Sequence, residues 1–327
     1  MKEKLKNPII SSIVIIFLCF LLTSTGWLSW EYHLLTQVSS RTSDLCTMVI
    51  GYLLQAVGIG VFSIIIRHKE YFAKGMYISA LFLHIACMLP AVLSPYTAGT
   101  LVFGFIMNLA CGFIAGYYLY NLGKTVETKR KATVFAVGYS LSILSSWLLS
   151  FIGKGAAFYS GASIIIAGIL TVLLLLLAVK QKADDVSYDG DAASKNAAHT
   201  DFHFLLLLCV LIVLFSIVNS AGFTFPSSDI LGTVQVEFTR LIYAAGLIVA
   251  GLLTDKSRKH GALLALAALI MPFIMLALRD ETLPATVFWA LSYFTFGFYA
   301  VFRITLFTDI AASYNCVYLS CFGLMLG

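Results

Sequence analysis

The sequence contains few charged residues. Only 11% of its 327 residues are Asp, Glu, Lys or Arg, whereas a soluble domain carries about 25%. Hydrophobic residues make up 60% of the chain, and the mean hydropathy is +0.93. Such a composition predicts a polytopic membrane protein that contacts a lipid bilayer. The net charge is +5, but the basic residues are scattered over the loops, so no nucleic-acid partner is indicated.

Motifs of catalysis and metal binding are also missing. The seven cysteines include no CxxC pair, and no histidine stands at zinc spacing from them. Four lie inside apolar runs and are expected to be small core residues: Cys19, Cys87, Cys111 and Cys209. The chain has no GxSxG, HExxH or Walker sequence. The sequence therefore predicts neither an enzyme nor an ATP-driven pump, and it indicates no metal or cofactor.

Long apolar windows recur along the whole chain. A helix needs roughly 20 apolar residues to cross the hydrocarbon core, and ten windows meet that length, with a partial eleventh beginning near Val317. The first is too long for a signal peptide and is expected to be a retained span. The fold class expected is thus all-α, a transmembrane bundle. The windows are residues 9–30, 45–66, two within 75–123 separated by a turn at 94–99, 132–153, 156–179, 202–225, 230–254, 261–278 and 283–307.

Basic residues are distributed unequally between the two sides of these windows. Seventeen lysines and arginines fall at the N-terminus and on alternate loops, whereas the opposite set contains only Arg41, Lys154 and Arg279. Because Lys and Arg are retained on the cytoplasmic side, this asymmetry predicts a cytoplasmic N-terminus. The expected location is the bacterial inner (plasma) membrane, with multiple passes.

One long polar segment divides the chain. Residues 181–201 are rich in small and acidic residues and are expected to form a cytoplasmic linker. Residues 1–180 then form a half of six helices, and residues 202–327 form a second, incomplete half.

The two halves show a weak internal repeat. Gly112 and Gly138 recur as Gly297 and Gly323, each at a shift of 185 residues. A six-helix unit used twice is typical of several transporter folds. The register of the repeat also predicts that the chain is truncated within its eleventh span.

A charged loop follows the eighth window. Residues 246–261 read GLIVAGLLTDKSRKHG, in which an apolar run ends abruptly at a group of charges. Five residues of this loop follow the spacing Gly, three residues, Asp, Arg/Lys, then further basic residues: Gly251, Asp255, Lys256, Arg258 and Lys259. With this motif the chain resembles the major facilitator superfamily (MFS), in which the loop joins the second and third helices of each half. Arg258 stands where that family usually has its second glycine.

The resemblance implies two six-helix halves and transport of a small solute. The residue pattern itself suggests how the loop works: Asp255 can accept hydrogen bonds from backbone N–H groups at the end of a neighbouring helix and so latch the two halves together. The alternative is a loop that is basic only because it is cytoplasmic. At the corresponding first-half positions, Lys69 replaces Asp255 and Ile65 replaces Gly251, so that loop lacks the acid and the glycine.

Polar residues inside the spans are candidates for the solute or coupling site, because they are costly in lipid. Glu237 and Arg240 are three residues apart on one helix face and can pair. They could bind substrate or a coupling proton, or could simply neutralise each other. His84 could relay protons, although a histidine bonded to a neighbouring carbonyl is the simpler interpretation.

The remaining candidates have simpler alternatives as well. Asn108 and Asn219 could bind a solute or could hold helices together. Glu31, next to two aromatic residues, could be a coupling acid or an interfacial one. Arg303 and Asp309 are expected at the inner rim near the latch. Pro90 and Pro272 are expected to kink two spans.

Two functions remain open from the sequence. The first is a secondary active transporter of a small solute, for which the proton is the candidate coupling ion. The second is the membrane-embedded sensory region of a LuxR-type helix-turn-helix regulator, whose DNA-binding domain would follow Gly327.

Overall fold

The computed structural model describes residues 7–152, 161–180, 202–230, 236–277 and 282–327. No β-strand occurs within these ranges, and the all-helical expectation is confirmed for them. The expected linker, residues 181–201, lies outside the described residues.

The described residues of the N-terminal part, 7–152 and 161–180, contain seven α-helices. Short π-helical or 3-10 segments precede α3, α4 and α6. The elements are α1 (Pro8–Leu35), α2 (Ser40–Asp44), a π-helical segment (Leu45–Gly51), α3 (Tyr52–His68), a 3-10 turn (Glu70–Phe72), α4 (Ala73–Leu93), α5 (Thr97–Thr125), a 3-10 turn (Thr128–Arg130), α6 (Lys131–Ile152) and α7 (Ser163–Lys180).

The C-terminal part, residues 202–327, contains the remaining helices. They are α8 (Phe202–Ile230), α9 (Val236–Lys256), α10 (Arg258–Ala268), α11 (Met271–Ala277), α12 (Thr282–Ser313), a 3-10 segment (Val317–Cys321) and α13 (Phe322–Met325).

Eight of the described helical segments are long and apolar enough to cross a membrane. The turn expected after residue 93 is present, since α4 ends at Leu93 and α5 begins at Thr97. The expected ninth span is divided into α10 and α11, which are interrupted at Leu269 and Ile270, directly before Pro272. Pro90 lies within the last turn of α4. A proline is tolerated at the start of a helix, which explains why a new helix begins at Met271.

Glycines allow two pairs of helices to meet at backbone distance. A Cβ at Gly112 of α5 would lie 2.8 Å from Cα of Gly58 on α3. In the same way, a Cβ at Gly297 of α12 would lie 2.7 Å from the backbone nitrogen of Leu247 on α9, next to Gly246. Small residues permit this close packing in membranes. Gly112 and Gly297 are two of the glycines that the predicted internal repeat matches. One brings α5 against α3, and the other brings α12 against α9.

The two parts of the chain pack against each other mainly along α6 and α9. Ser140 of α6 donates a hydrogen bond to the carbonyl oxygen of Ala244 on α9, at 3.0 Å. Nearer the charged loop, Gly251 of α9 lies against α6, where an added Cβ would be 2.6 Å from Cβ of Ala136. The glycine of the loop motif is therefore required by this close contact.

Candidate functional site

One end of the bundle collects the loops that carry most of the basic residues. The start of α1 and the end of α5 meet there, because the hydroxyls of Ser12 and Thr125 are 3.0 Å apart. The α3–α4, α5–α6 and α9–α10 connections lie at the same end. We call it the basic end.

Asp255 lies at the basic end, in the last turn of α9. Its carboxylate oxygens accept hydrogen bonds from the backbone N–H groups of Thr133, at 2.7 Å, and Ala132, at 3.2 Å. These are first-turn N–H groups of α6, which have no partner within their own helix. The positive end of the helix dipole further favours a carboxylate there. A side chain of the C-terminal part therefore caps a helix of the N-terminal part.

Arg258 connects this carboxylate to two further elements. Its Nε donates to Oδ2 of Asp309 at 2.7 Å, and one Nη donates to Oδ1 of Asp255 at 2.8 Å. It also bonds to the carbonyl oxygens of Thr254 and Thr128. Arg258 thus joins α9, α12 and the 3-10 turn before α6, contacts that a glycine at this position could not make.

Lys131 is the second cation of this group. Its side chain is fully buried, and Nζ donates to the carbonyl oxygen of Thr308 at 3.2 Å. It also lies close enough to Asp309 and Arg258 to interact with both electrostatically. Two acids and two bases therefore form a compact group, which we call the latch cluster: Asp255, Arg258, Lys131 and Asp309. By contrast, Lys256 and Lys259 of the motif are exposed.

The two parts also meet at a second place at the basic end. Ser63 of α3 donates to the carbonyl oxygen of Tyr318, at 3.0 Å, and the Arg67 guanidinium lies 5.5 Å from the centre of the Tyr318 ring. Nearby, Glu70 forms a salt bridge of 2.7 Å with Lys124 inside the N-terminal part. The side chains of Arg67, Glu70, Lys124 and Tyr318 border a cavity of about 400 Å³. We call this the Tyr318 contact.

The Tyr318 contact lies at the end of α3, next to the loop that the predicted repeat matches to the α9–α10 loop. Lys69, which this repeat matches to Asp255, is exposed. The two parts are joined here by a hydroxyl, a carbonyl group and a cation over an aromatic ring, instead of by a carboxylate on a helix end.

The candidate residues inside the N-terminal part are buried. Asn108 donates to the carbonyl oxygen of Gly104 at 2.8 Å and accepts from Gln55 of α3 at 2.7 Å, so its amide joins α5 to α3. His84 is fully buried, and neither ring nitrogen has a hydrogen-bond partner, in contrast to the expected bond to a carbonyl group. The ring instead packs on Gly26, where an added Cβ would lie 2.8 Å from Nε2.

The other candidates are less closely defined. Glu31 is half-buried in the last third of α1, next to Trp30, whose ring N–H donates to the carbonyl oxygen of Thr100 at 2.9 Å. Asn219 is buried in α8. The side chains of Glu237 and Arg240 lie outside the part of the chain that the structure describes.

Arg303 and Asp309 were expected together at the rim, but they lie in different surroundings. Asp309 belongs to the latch cluster, whereas the Arg303 guanidinium lies 5.9 Å from the centre of the Tyr299 ring, one turn earlier on α12. Arg303 also interacts electrostatically with three tyrosines of other helices: Tyr118, Tyr139 and Tyr243. On a helix, residues six apart point to different sides.

The tyrosines around Arg303 come from both parts of the chain. Tyr139 of α6 and Tyr243 of α9 are hydrogen-bonded to each other, with ring centres 6.0 Å apart. Phe20 of α1 stacks on Tyr139, at 4.1 Å between ring centres, and lies 4.9 Å from the Tyr118 ring. We call Arg303, its Tyr299 neighbour and these aromatic residues the central cluster.

Apolar membrane-length helices, packed in two parts that meet along a charged loop, indicate a multi-pass membrane protein. No family model and no curated protein matches the sequence. Solved structures do match over almost the whole chain. The proton:xylose symporter XylE, in complex with a bromodeoxyglucose, has a TM-score of 0.65 at 12% identity and covers 97% of this chain and 86% of its own.

Two further solved structures give the same result. The fucose:proton symporter FucP of E. coli has a TM-score of 0.67 at 14% identity, with 98% of this chain and 89% of its own covered. The nucleoside transporter NupG has a TM-score of 0.57 at 18% identity, with the same coverage of 98% and 89%. The chain therefore has the fold of the MFS transporters.

Proposed function

We propose that this protein is a secondary active transporter that moves a small solute by alternating access. The two moving units are residues 1–180 and residues 202–327, joined by the linker 181–201. In this proposal the chain supplies ten complete spans and the beginning of an eleventh, with α9 and the divided α10–α11 among them. It lies in the inner membrane, with the N-terminus and the basic end in the cytoplasm.

The observation that carries the proposal is the capping of α6 by Asp255. Two hydrogen bonds, at 2.7 and 3.2 Å, join the α9–α10 loop to a helix of the other part. These bonds, with the bonds from Arg258 to the carbonyl oxygen of Thr128 and from Lys131 to that of Thr308, and with the Tyr318 contact, close the basic end by polar contacts. Polar contacts can be exchanged for water when the end opens, whereas a large apolar interface cannot. An interface of this kind supports a bundle with two conformations.

The proposed cycle uses this difference. When the basic end is closed, the solute reaches the centre of the bundle from the opposite side. Opening breaks the bonds to Thr133 and Ala132 and separates Arg67 from Tyr318, which exposes the centre to the cytoplasm. A coupling proton would be carried by Glu237, tuned by Arg240, with His84 and Glu31 as further candidates. Asn108 and Asn219 remain candidates for solute contact in this proposal.

The solutes moved by the solved neighbours give the first probes. Their names state xylose, fucose and nucleosides, and all three proteins are transporters. We therefore select radiolabelled D-xylose, L-fucose and uridine for uptake into proteoliposomes that contain the full chain.

A reversible cross-link tests alternating access directly. In a background in which Cys209 and Cys316, the two natural cysteines that are not buried, are changed to serine, Arg67→Cys and Tyr318→Cys place two thiols on opposite sides of the Tyr318 contact, and a short bis-methanethiosulfonate reagent can join them. We expect the cross-link to abolish uptake and reduction to restore it, because the basic end must open once in each cycle. The matched control is Arg67→Cys with Lys124→Cys, which joins two residues of the N-terminal part across the same cavity and should leave uptake unchanged.

The outcome also separates a transporter from a sensor. Uptake that continues with the basic end cross-linked would refute alternating access at this end. No uptake of any probe, together with no change in accessibility at either end of the bundle, would refute the transporter proposal.

A further inference from the structure

Arg303 is a charged residue inside a membrane-length helix. It lies in α12, whose residues 289–313 form one of the eight membrane-length segments. A guanidinium at such a position is costly unless a counter-charge or hydrogen bonds compensate it. The described salt bridges join Glu70 to Lys124 and Arg258 to two aspartates, and none of them includes Arg303. Its Nε is buried and has no hydrogen-bond partner.

A second donor in the central cluster is in the same situation. The side chain of Tyr118 is almost fully buried, and its hydroxyl group has no partner either. The hydroxyl of Tyr299, in contrast, is already bound to Ser216 and to the carbonyl oxygen of Ile212 on α8, at 2.8 and 2.9 Å. The unmet hydrogen-bonding capacity of the described cluster therefore lies with Arg303 and Tyr118, and buried donors normally have partners.

The position of Arg303 is set by its surroundings. On one side the guanidinium lies over the Tyr299 ring, and on another it lies so close to Gly327 that any Cβ there would overlap it. The tyrosines with which it interacts belong to α5, α6 and α9, so both parts of the chain contribute. A group that reaches Arg303 would contact both moving units at once, which is what a transported solute must do.

We propose that the central cluster is the solute site and that the solute carries an oxyanion, a carboxylate or a phosphate, which binds the Arg303 guanidinium and accepts a hydrogen bond from Tyr118. An arginine fork binds such groups through two parallel N–H bonds. The rings of Phe20, Tyr139 and Tyr243 pack on one another and give an apolar border that suits a ring or an apolar carbon skeleton next to the anionic group. This inference rests on the proposed transport function and names the chemical class of its solute.

The test is ligand-induced stabilisation of the purified full chain, since a ligand that binds only the folded state raises the melting temperature. The probes are two matched pairs, 4-hydroxybenzoate with 4-hydroxybenzamide and D-glucuronate with D-glucose, together with inorganic phosphate. In each organic pair the ring is retained and the carboxylate is replaced by a neutral group, a carboxamide in the first pair and a hydroxymethyl group in the second. We expect an anionic probe to raise the melting temperature at millimolar concentration and its neutral partner to have no effect.

Variants then assign the effect to the site. Arg303→Gln should weaken binding of the stabilising anion at least tenfold, Arg303→Lys should weaken it less, and Tyr118→Phe should weaken it severalfold. The matched control is Arg41→Gln, an exposed arginine on α2, which should bind the anion like the unaltered protein. If Arg303→Gln does not fold, as judged by gel filtration, Arg303→Lys and Tyr118→Phe decide the question.

Each outcome has a defined meaning. Stabilisation by the organic anions identifies a carboxylate-bearing solute, and stabilisation by phosphate alone identifies an inorganic oxyanion at the same site. No stabilisation by any anion, or equal stabilisation of the Arg303 and Tyr118 variants, overturns the proposal. Uptake of a neutral solute that is blocked by the Arg67–Tyr318 cross-link would overturn the anionic class and leave the transport function intact.

Discussion

Replacement of Asp255 by alanine gives the sharpest prediction about the latch cluster. The substitution removes both bonds to α6, at 2.7 and 3.2 Å, and leaves the first-turn N–H groups of Ala132 and Thr133 without an acceptor. The bond between Asp255 and Arg258 lies within the C-terminal part, so its loss does not by itself favour either conformation. Arg258 also keeps its 2.7 Å bond to Asp309.

The size of the effect follows from the bonds between the two parts. A hydrogen bond to a charged group contributes about 1.5 to 3 kcal/mol, and a charge at a partly buried helix end contributes up to about 2 kcal/mol. These two contributions overlap, because the same N–H groups cause both, so the closed basic end should lose about 2 to 4 kcal/mol. At a factor of ten for each 1.4 kcal/mol, the ratio of closed to open molecules should fall roughly 30- to 700-fold.

Distance measurements between spin labels can detect this change. Lys69 and Lys259 are exposed at the basic end, in different parts of the chain, and can be replaced by labelled cysteines. Cys209 and Cys316, the two natural cysteines that are not buried, are first changed to serine. We expect the Asp255→Ala variant to gain a population with a longer label distance.

Two comparisons make the measurement decisive. Asp255→Asn keeps one carbonyl acceptor and should show a smaller shift, whereas Asp44→Ala, an exposed acid on α2, should show none. Identical distance distributions in the Asp255→Ala variant and the unaltered protein would refute the latch, whatever the effect on uptake.

Three further predictions concern single contacts. Arg258→Gly, which introduces the glycine usual in the family that the loop resembles, should open the basic end less than Asp255→Ala, because α6 stays capped and the bond lost between the two parts is that from Arg258 to the carbonyl oxygen of Thr128; the same label distances measure this. Gly26→Ala should lower the free energy of unfolding by about 1 to 3 kcal/mol, because the added methyl group overpacks against His84. Thermal melts should show a smaller loss when the same substitution is made in a His84→Ala variant. An equal loss with and without His84 would exclude this contact as the cause. Glu237→Gln should abolish the pH dependence of uptake, and an unchanged pH profile would remove that acid from coupling.

Patterns that extend over a whole helix could be predicted from the sequence. The apolar windows at residues 9–30 and 132–153 correspond to α1 and α6. Each of these helices begins one residue before its window. The turn after Leu93 and the break before Pro272 follow from local chemistry, since turn residues and prolines act on their immediate neighbours. The π-helical segment at Leu45–Gly51 had no such signal.

Contacts between distant residues were harder to predict. The sequence places Lys131 among the basic loop residues, yet it is buried within the latch cluster, because α9 and α12 cover the start of α6. The position of Arg303 depends on the rotation of α12, and the apolar sequence on all sides of that helix does not define the rotation. The partner of Asp255 was predicted as a type of group, a helix end, but not as a particular helix.

The arginine at position 258 has a consequence for sequence variation. Its Nε lies 2.7 Å from Asp309, a side chain 51 residues away on another helix, which the structure leaves about one quarter exposed, at 26%. If a glycine replaced Arg258, Asp309 would keep only its more distant electrostatic attraction to Lys131. Homologues with a small residue at 258 should therefore have lost the acid at 309 as well, so these two columns of an alignment should change together.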